Sequence, residues 1–194
     1  MLYLAMEEMI NYLLRFGQIT QQQIDLAKSK TQVIHIKKGE YFSQANKVAQ
    51  QVGFLTEGVI RVCYYGNKGE EYTRCFVLEN RFVVDSVSFY NDTPSSEYVE
   101  AVTDCTLLIF SKQVFNELSN TISNWNDIFT RILTDALMKK VQASNTMLNQ
   151  DATTRYLTFL ELFPNIANRA PLSMLASYLG ITQSSLSRIR KNIS

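Results

Sequence analysis

The sequence predicts an α+β chain in three successive parts: an N-terminal helical cap on an antiparallel barrel or sandwich, one long helix, and a C-terminal helix-turn-helix. Three observations predict it. Short β-branched and aromatic runs separated by turns fill Thr31 to Phe110. A stretch without Gly or Pro extends from Ile122 to Leu148. The sequence then closes on ASYLGITQSSLSRIRKNIS, two helical patterns about a glycine.

Residues 1–28 read as helix, because Leu2, Met6, Met9, Leu13 and Phe16 recur at helical steps, with Gly17 as terminator. The strand region contains TQVIHIKKGEYF, QQVGFLTEGVIRVCYY, EEYTRCFVL, EYVEAV and CTLLIF. In VIRVCYY, strand alternation sends Ile60, Val62 and Tyr64 to one face and Arg61, Cys63 and Tyr65 to the other, and GNKG closes a hairpin into Glu70.

From Ile122 to Leu148 the apolar positions Trp125, Phe129 and Ile132, then Leu137, Val141 and Leu148, approach heptad spacing with a phase slip between the groups. Asp127, Arg131, Asp135 and Lys139 alternate in sign along a second face, as on an exposed helix. A helix of about 40 Å is too long for one small domain to cover. The six apolar residues are therefore expected to form a homodimer interface, the alternative being that the helix packs on the β domain alone.

Past Asp151, TRYLTFLELF is a further helix ending at Pro164. Pro171 opens PLSMLASYLG, whose buried stripe is Leu172, Leu175, Ala176 and Leu179, with Gly180 as a left-handed stop. Thr182 is the expected N-cap of QSSLSRIRKNI, with Leu186 and Ile189 inward and Gln183, Ser184, Ser187, Arg188 and Lys191 outward.

Composition narrows the function. At 194 residues, 46% hydrophobic and 19% charged, the chain can bury a substantial core. The formal charge of +1 is uninformative, but its distribution is not. Glu161 is the last acid, and Arg169, Arg188, Arg190 and Lys191 follow it unopposed, a footprint for an anionic partner. No apolar run is long enough to span a bilayer, and Glu7 and Glu8 interrupt the opening stretch where a signal peptide needs unbroken apolar residues, so a cytoplasmic protein is expected. Cys63, Cys75 and Cys105 lack any CxxC pairing and read as reduced core thiols, with no metal site and no cofactor. The one histidine, His35, lies in a strand-like run and reads as strand packing; no catalytic residue is assigned. Neither GxxxxGK[ST] nor GxGxxG occurs, which disfavours nucleotide hydrolysis and dinucleotide binding.

In order and spacing, KKGEYF (Lys37–Phe42), LTEGVIRV (Leu55–Val62), RFVVDSVSFYNDTPSSEYVEA (Arg81–Ala101) and ASYLGITQSSLSRIRK resemble the Crp/Fnr family of bacterial transcription regulators. The resemblance implies a cyclic-nucleotide-binding-like β-roll with its helical cap over residues 1–118, a dimerisation helix over 119–150, and a DNA-binding helix-turn-helix over 151–194. It also implies a short form whose recognition helix is the last element, without a wing. DNA contacts are expected from Ser173, Thr182, Gln183, Ser184, Ser185, Ser187, Arg188, Arg190 and Lys191. The implied partners are double-stranded DNA and a second copy of the chain, with RNA polymerase as a further candidate and the effector unnamed.

The family's phosphate-binding cassette falls on Arg81–Ala101, and it departs from pattern. The glycine position is Val84, the acid is Asp85, the arginine position is Ser95, and Ser96 follows. Only the acid and the last serine match. A degenerate pocket is therefore expected: either Arg74 or Arg81 reaches in and it suits another small ligand, or it is filled by its own side chains, with Phe89 and Tyr90 as candidates. The competing class is a ligand-binding or adaptor module whose helix-turn-helix is vestigial; a sequence preference for DNA separates the two.

Overall fold

The computed structural model describes residues 2–193, with Thr146 and Leu148 described only in their backbone. Two helices open the chain, α1 (Leu2–Leu14) and α2 (Gln21–Lys30), where the sequence pattern reads as one. Helix α1 stops before Gly17, and Thr20 restarts the chain with a capping box: its hydroxyl accepts from Gln23 N–H while the Gln23 side chain accepts from Thr20 N–H.

Eight strands follow: β1 (Gln32–Ile36), β2 (Tyr41–Ser43), β3 (Gln51–Glu57), β4 (Ile60–Tyr65), β5 (Glu71–Val77), β6 (Arg81–Val83), β7 (Tyr98–Ala101) and β8 (Cys105–Ser111). They form two antiparallel four-stranded sheets, ordered β1-β8-β3-β6 and β2-β7-β4-β5, facing each other as a roll. Ile36, Phe42, Leu55, Ile60, Val99 and Leu107 fill the space between them. Gly58 turns β3 into β4 at φ +108°, where a Cβ would lie 2.5 Å from the Asp104 carbonyl oxygen, so only glycine fits.

Alternation holds in β4 through Val62, but both of its faces are covered. Ile60 faces the core, while Arg61, 2% exposed, lies along the outer face of the sheet. Its Nε is 3.0 Å and its Nη2 2.6 Å from the Glu100 carboxylate, and its Nη2 is 2.9 Å from that of Glu71. A register shift between Val62 and Cys63 then leaves both Tyr64 and Tyr65 exposed at the hairpin tip. Cys63 and Cys105 are buried, Cys75 is half-buried, and all three are free thiols. Burial pushes the Cys63 thiol up to about 12, so it stays neutral. His35 is exposed on edge strand β1, its Nδ1 3.1 Å from the Thr106 hydroxyl.

Helix α3 (Ser86–Asn91) interrupts the roll, and α4 (Lys112–Thr121) leads to α5 (Trp125–Leu148). Ile122 belongs to the C-cap of α4, so the long helix begins three residues later than its apolar pattern suggests. Its first half is not an outer seam. Trp125, Phe129 and Ile132 are at most 3% exposed and pack with Met9, Leu13, Phe54, Phe110 and Phe115 into the chain's own core, which corrects their expected place in a dimer interface. Two large rings and an isoleucine need desolvation, and α1, α4 and the β3–β8 face supply it within one chain.

Helix α6 (Ala152–Leu162), capped by Asp151, precedes a short 3-10 turn (Ile166–Asn168), then α7 (Leu172–Leu179) and α8 (Gln183–Ile193). Their core of Tyr156, Phe159, Ile166, Leu175, Leu179 and Leu186 is continuous with Val59, Phe76 and Val102 of the roll. Among the described residues no helix is long and apolar enough to cross a membrane.

Candidate nucleic-acid interface and ligand cavity

The last two helices are set by local chemistry. Gly180 ends α7 in the left-handed region at φ +66°, its N–H returning to the Ser177 carbonyl at 3.2 Å. Arg155 Nη1 on α6 donates to the Leu179 carbonyl at 2.8 Å, placing a cation at the negative end of α7. Thr182 caps α8: its hydroxyl accepts from Ser185 N–H at 3.1 Å and donates to the Ser185 hydroxyl at 2.8 Å. Ser185 and Thr182 are thus engaged with each other.

Leu186 is fully buried, which turns the opposite face of α8 to solvent. Gln183, Ser184, Arg188 and Lys191 are exposed, while Ser187 and Arg190 are half-buried at the border. Ser173 is exposed in the first turn of α7. The face combines short hydroxyls in the first turn with two cations further along, and no carboxylate lies on either helix.

One contact that patterning gives no sign of holds this pair of helices against the roll. Ser177 on α7 accepts from Thr73 N–H at 2.8 Å and donates to the Glu71 carbonyl at 3.0 Å, so it satisfies the open edge of β5. Arg169 adds a two-pronged pair to Glu79, 3.1 Å for Nη1, and Glu79 also accepts from Gly58 N–H at 2.9 Å. Burial alone would raise the Glu79 carboxyl, yet Arg169 and the backbone donors hold it below its ordinary value.

The second half of α5 presents apolar side chains to solvent. Leu137 is 58%, Met138 63% and Val141 44% exposed, while the Leu148 side chain lies outside the described ones. Lys139 pairs with Asp135 at 2.7 Å on this surface, whereas Arg131, further up, donates to the Phe16 carbonyl at 3.2 Å.

Between the roll, α5 and the C-terminal helices lies a cavity of about 1130 Å³. Val84 and Asp85 line it, and Ser95 and Ser96 do not, so only half of the expected cassette residues reach it. Ser95 is turned into its own loop, donating to the Glu97 carbonyl at 2.8 Å and accepting from Glu97 N–H at 3.0 Å. Asp85 caps α3 by accepting from Ser88 N–H at 3.1 Å. Phe89 does not fill the cavity: it is buried against Phe115, and Tyr90 is exposed. Arg74 and Arg81 do line it, and Arg74 pairs with Glu97. Lys140 of α5, unremarked in the sequence, joins them; it continues the four-residue step of Ile132 and Ala136, the signal that would have placed it there.

Residues 33–121 match the family model described as the cyclic nucleotide-binding domain. Among solved structures, FixK2 from Bradyrhizobium japonicum superposes with a TM-score of 0.73 at 15% identity, over 84% of each chain. A structure described as a transcriptional regulator of the Crp/Fnr family, from Eubacterium rectale, gives 0.73 at 15% identity over 94% of this chain and 87% of that one. The c-di-GMP-responsive global regulator CLP from Xanthomonas campestris gives 0.69 at 13%, over 90% and 91%. A search among proteins of curated function gives no match.

Proposed function

We propose, from a cyclic nucleotide-binding domain set in a Crp/Fnr-type fold, that this chain is a cytoplasmic, sequence-specific DNA-binding transcriptional regulator acting as a homodimer. In this reading residues 1–118 sense, 119–150 dimerise and 151–194 bind DNA; RNA polymerase is a further partner, and no catalytic step is assigned. The observation that carries it is the exposed face of α8. Gln183, Ser184, Arg188 and Lys191 project from a capped helix with no carboxylate among them. An α-helix fits the major groove, and its N-terminus favours a phosphate. Arg188 is long enough for a bidentate contact with a guanine edge, Gln183 and Ser184 sit on the first turn where base edges are met, and Lys191 suits the backbone.

Dimerisation is supported by the lower half of α5. Thr134, Met138, Val141 and Asn145 are exposed at alternating four- and three-residue steps, which the sequence continues to Leu148. This is the spacing of a two-stranded coiled coil, and Asn145 at a core position is the kind of polar residue that fixes register. The interface therefore consists of Met138, Val141 and the Leu148 step, flanked by Leu137.

Pull-down of genomic fragments by the purified protein tests the reading. Enrichment of particular fragments over shuffled competitors is expected. Equal recovery of both would favour an adaptor with a vestigial helix-turn-helix.

A further inference from the structure

The polar groups of the cavity come from several parts of the chain. Asp85 and Ser95 are held by hydrogen bonds within their own loop, and Ser95 and Ser96 do not line the space. Glu97, which does line it, places a carboxylate on that side. Cations reach the cavity from three elements, Arg74 from β5, Arg81 from β6, and Lys139 and Lys140 from α5. Arg74 pairs with Glu97, whereas the half-buried Lys140 has no hydrogen bond or ion pair among the described residues. Burial holds the Lys140 ammonium below its ordinary value, with Arg74 adding to the effect while Cys75 and Glu97 oppose it. Most of the lining is apolar, with Val62 and Val99 from the roll, Ile132 from α5, and Leu162 and Phe163 from α6 and the residue that follows it, while Arg81, Asp85, Thr134 and Gln142 are among its polar members.

We propose that this cavity binds an apolar organic acid, a single carboxylate on an alkyl or aryl body, with the carboxylate on Lys140 beside Arg74 and the body against Val62, Ile132 and Phe163. The proposal rests on the sensor role given to residues 1–118 above. The chemistry selects this class over others. A cyclic nucleotide carries ribose hydroxyls, base edges and a phosphate, and a lining that is mostly apolar gives partners to few of them. A carboxylate brings one charged group, and Lys140 is a half-buried cation that can meet it. A neutral alcohol of equal length would fill the same volume and leave the ammonium as it was. The occupant would touch the roll, α5 and the segment leading to α7 at once, so binding is placed where it bears on the helix-turn-helix.

Calorimetry on the purified full chain tests this with decanoate, decan-1-ol and cyclic AMP, each below its micellar or solubility limit. Decanoate should bind at least tenfold more tightly than decan-1-ol, and cyclic AMP should give no binding heat. Lys140→Met should bring decanoate to the affinity of decan-1-ol while leaving the alcohol unchanged, which also reports that the variant is folded. Wild-type protein that binds decanoate no better than the alcohol, or that prefers cyclic AMP, overturns the proposal without recourse to the variant. Fragment enrichment with no decanoate binding would overturn this inference and leave the regulator standing; decanoate binding with no enrichment would do the reverse.

Discussion

Arg188 and Lys191 carry the same charge on the same helix, yet the account gives them different work, and substitution separates them. Arg188→Ala should cost about 1–3 kcal/mol of specific binding and relax preference at one base position, as loss of a bidentate base contact does. Lys191→Ala should weaken all sequences alike and flatten the salt dependence. Identical uniform losses in a salt titration would contradict the assignment of Arg188 as a base reader. Elsewhere, Arg61 shows what strand patterning misses. Alternation assigns it to the outer face, but it does not announce that Glu100 stands directly opposite on β7 and that Glu71 closes over it from β5. Those partners come from residues far apart in the chain. Arg61→Met should cost about 3–5 kcal/mol in urea unfolding, because Glu100 would keep its burial and lose its cation. The same cluster makes stability depend on pH. Hydrogen bonds from Arg61 hold the Glu71 carboxyl below its ordinary value near 4.5. With the folded value depressed, the contribution is complete above the unfolded value and is lost as pH falls through the folded one. Urea midpoints should therefore fall on acidification below that ordinary value, less steeply in Arg61→Met.

At the scale of the element, α5 passes midway from the chain's own core to an exposed surface. Its two apolar groups are legible in the sequence, and so is the phase slip between Ile132 and Leu137. What the slip means is not, because periodicity gives the direction of a stripe and not what covers it. Above the slip the stripe packs into the chain's own core; below it Leu137, Met138 and Val141 remain exposed. Charged residues at Phe129 and Ile132 should consequently unfold the protein, while Met138→Glu with Val141→Glu should leave it folded and monomeric by sedimentation. A folded but still dimeric double variant would contradict the proposed interface. The helix-turn-helix, by contrast, is legible almost to the residue: Pro171, Gly180 and Thr182 act within a few positions of themselves. The strand β6 and helix α3 carry three and six residues, too few for a period to emerge, and so the loop between β5 and β7 gives no such signal.

At the scale of the molecule, order and spacing carry the fold, whereas the cavity depends on side chains brought together from three parts of the chain. Val84 and Asp85 line it from the segment after β6; Lys140 arrives from the long helix and Phe163 from the segment before α7. The docking of α7 is likewise long-range, through Ser177 on the edge of β5 and Arg169 on Glu79. In the proposed reading this assembly presents two recognition helices to DNA, and selection from a randomised duplex pool by the purified protein is the sharpest check on it. The account predicts enrichment of an inverted repeat whose half-sites lie about one helical turn apart, as a two-fold dimer requires. A pool that remains random, or that converges on a single half-site without symmetry, would contradict it.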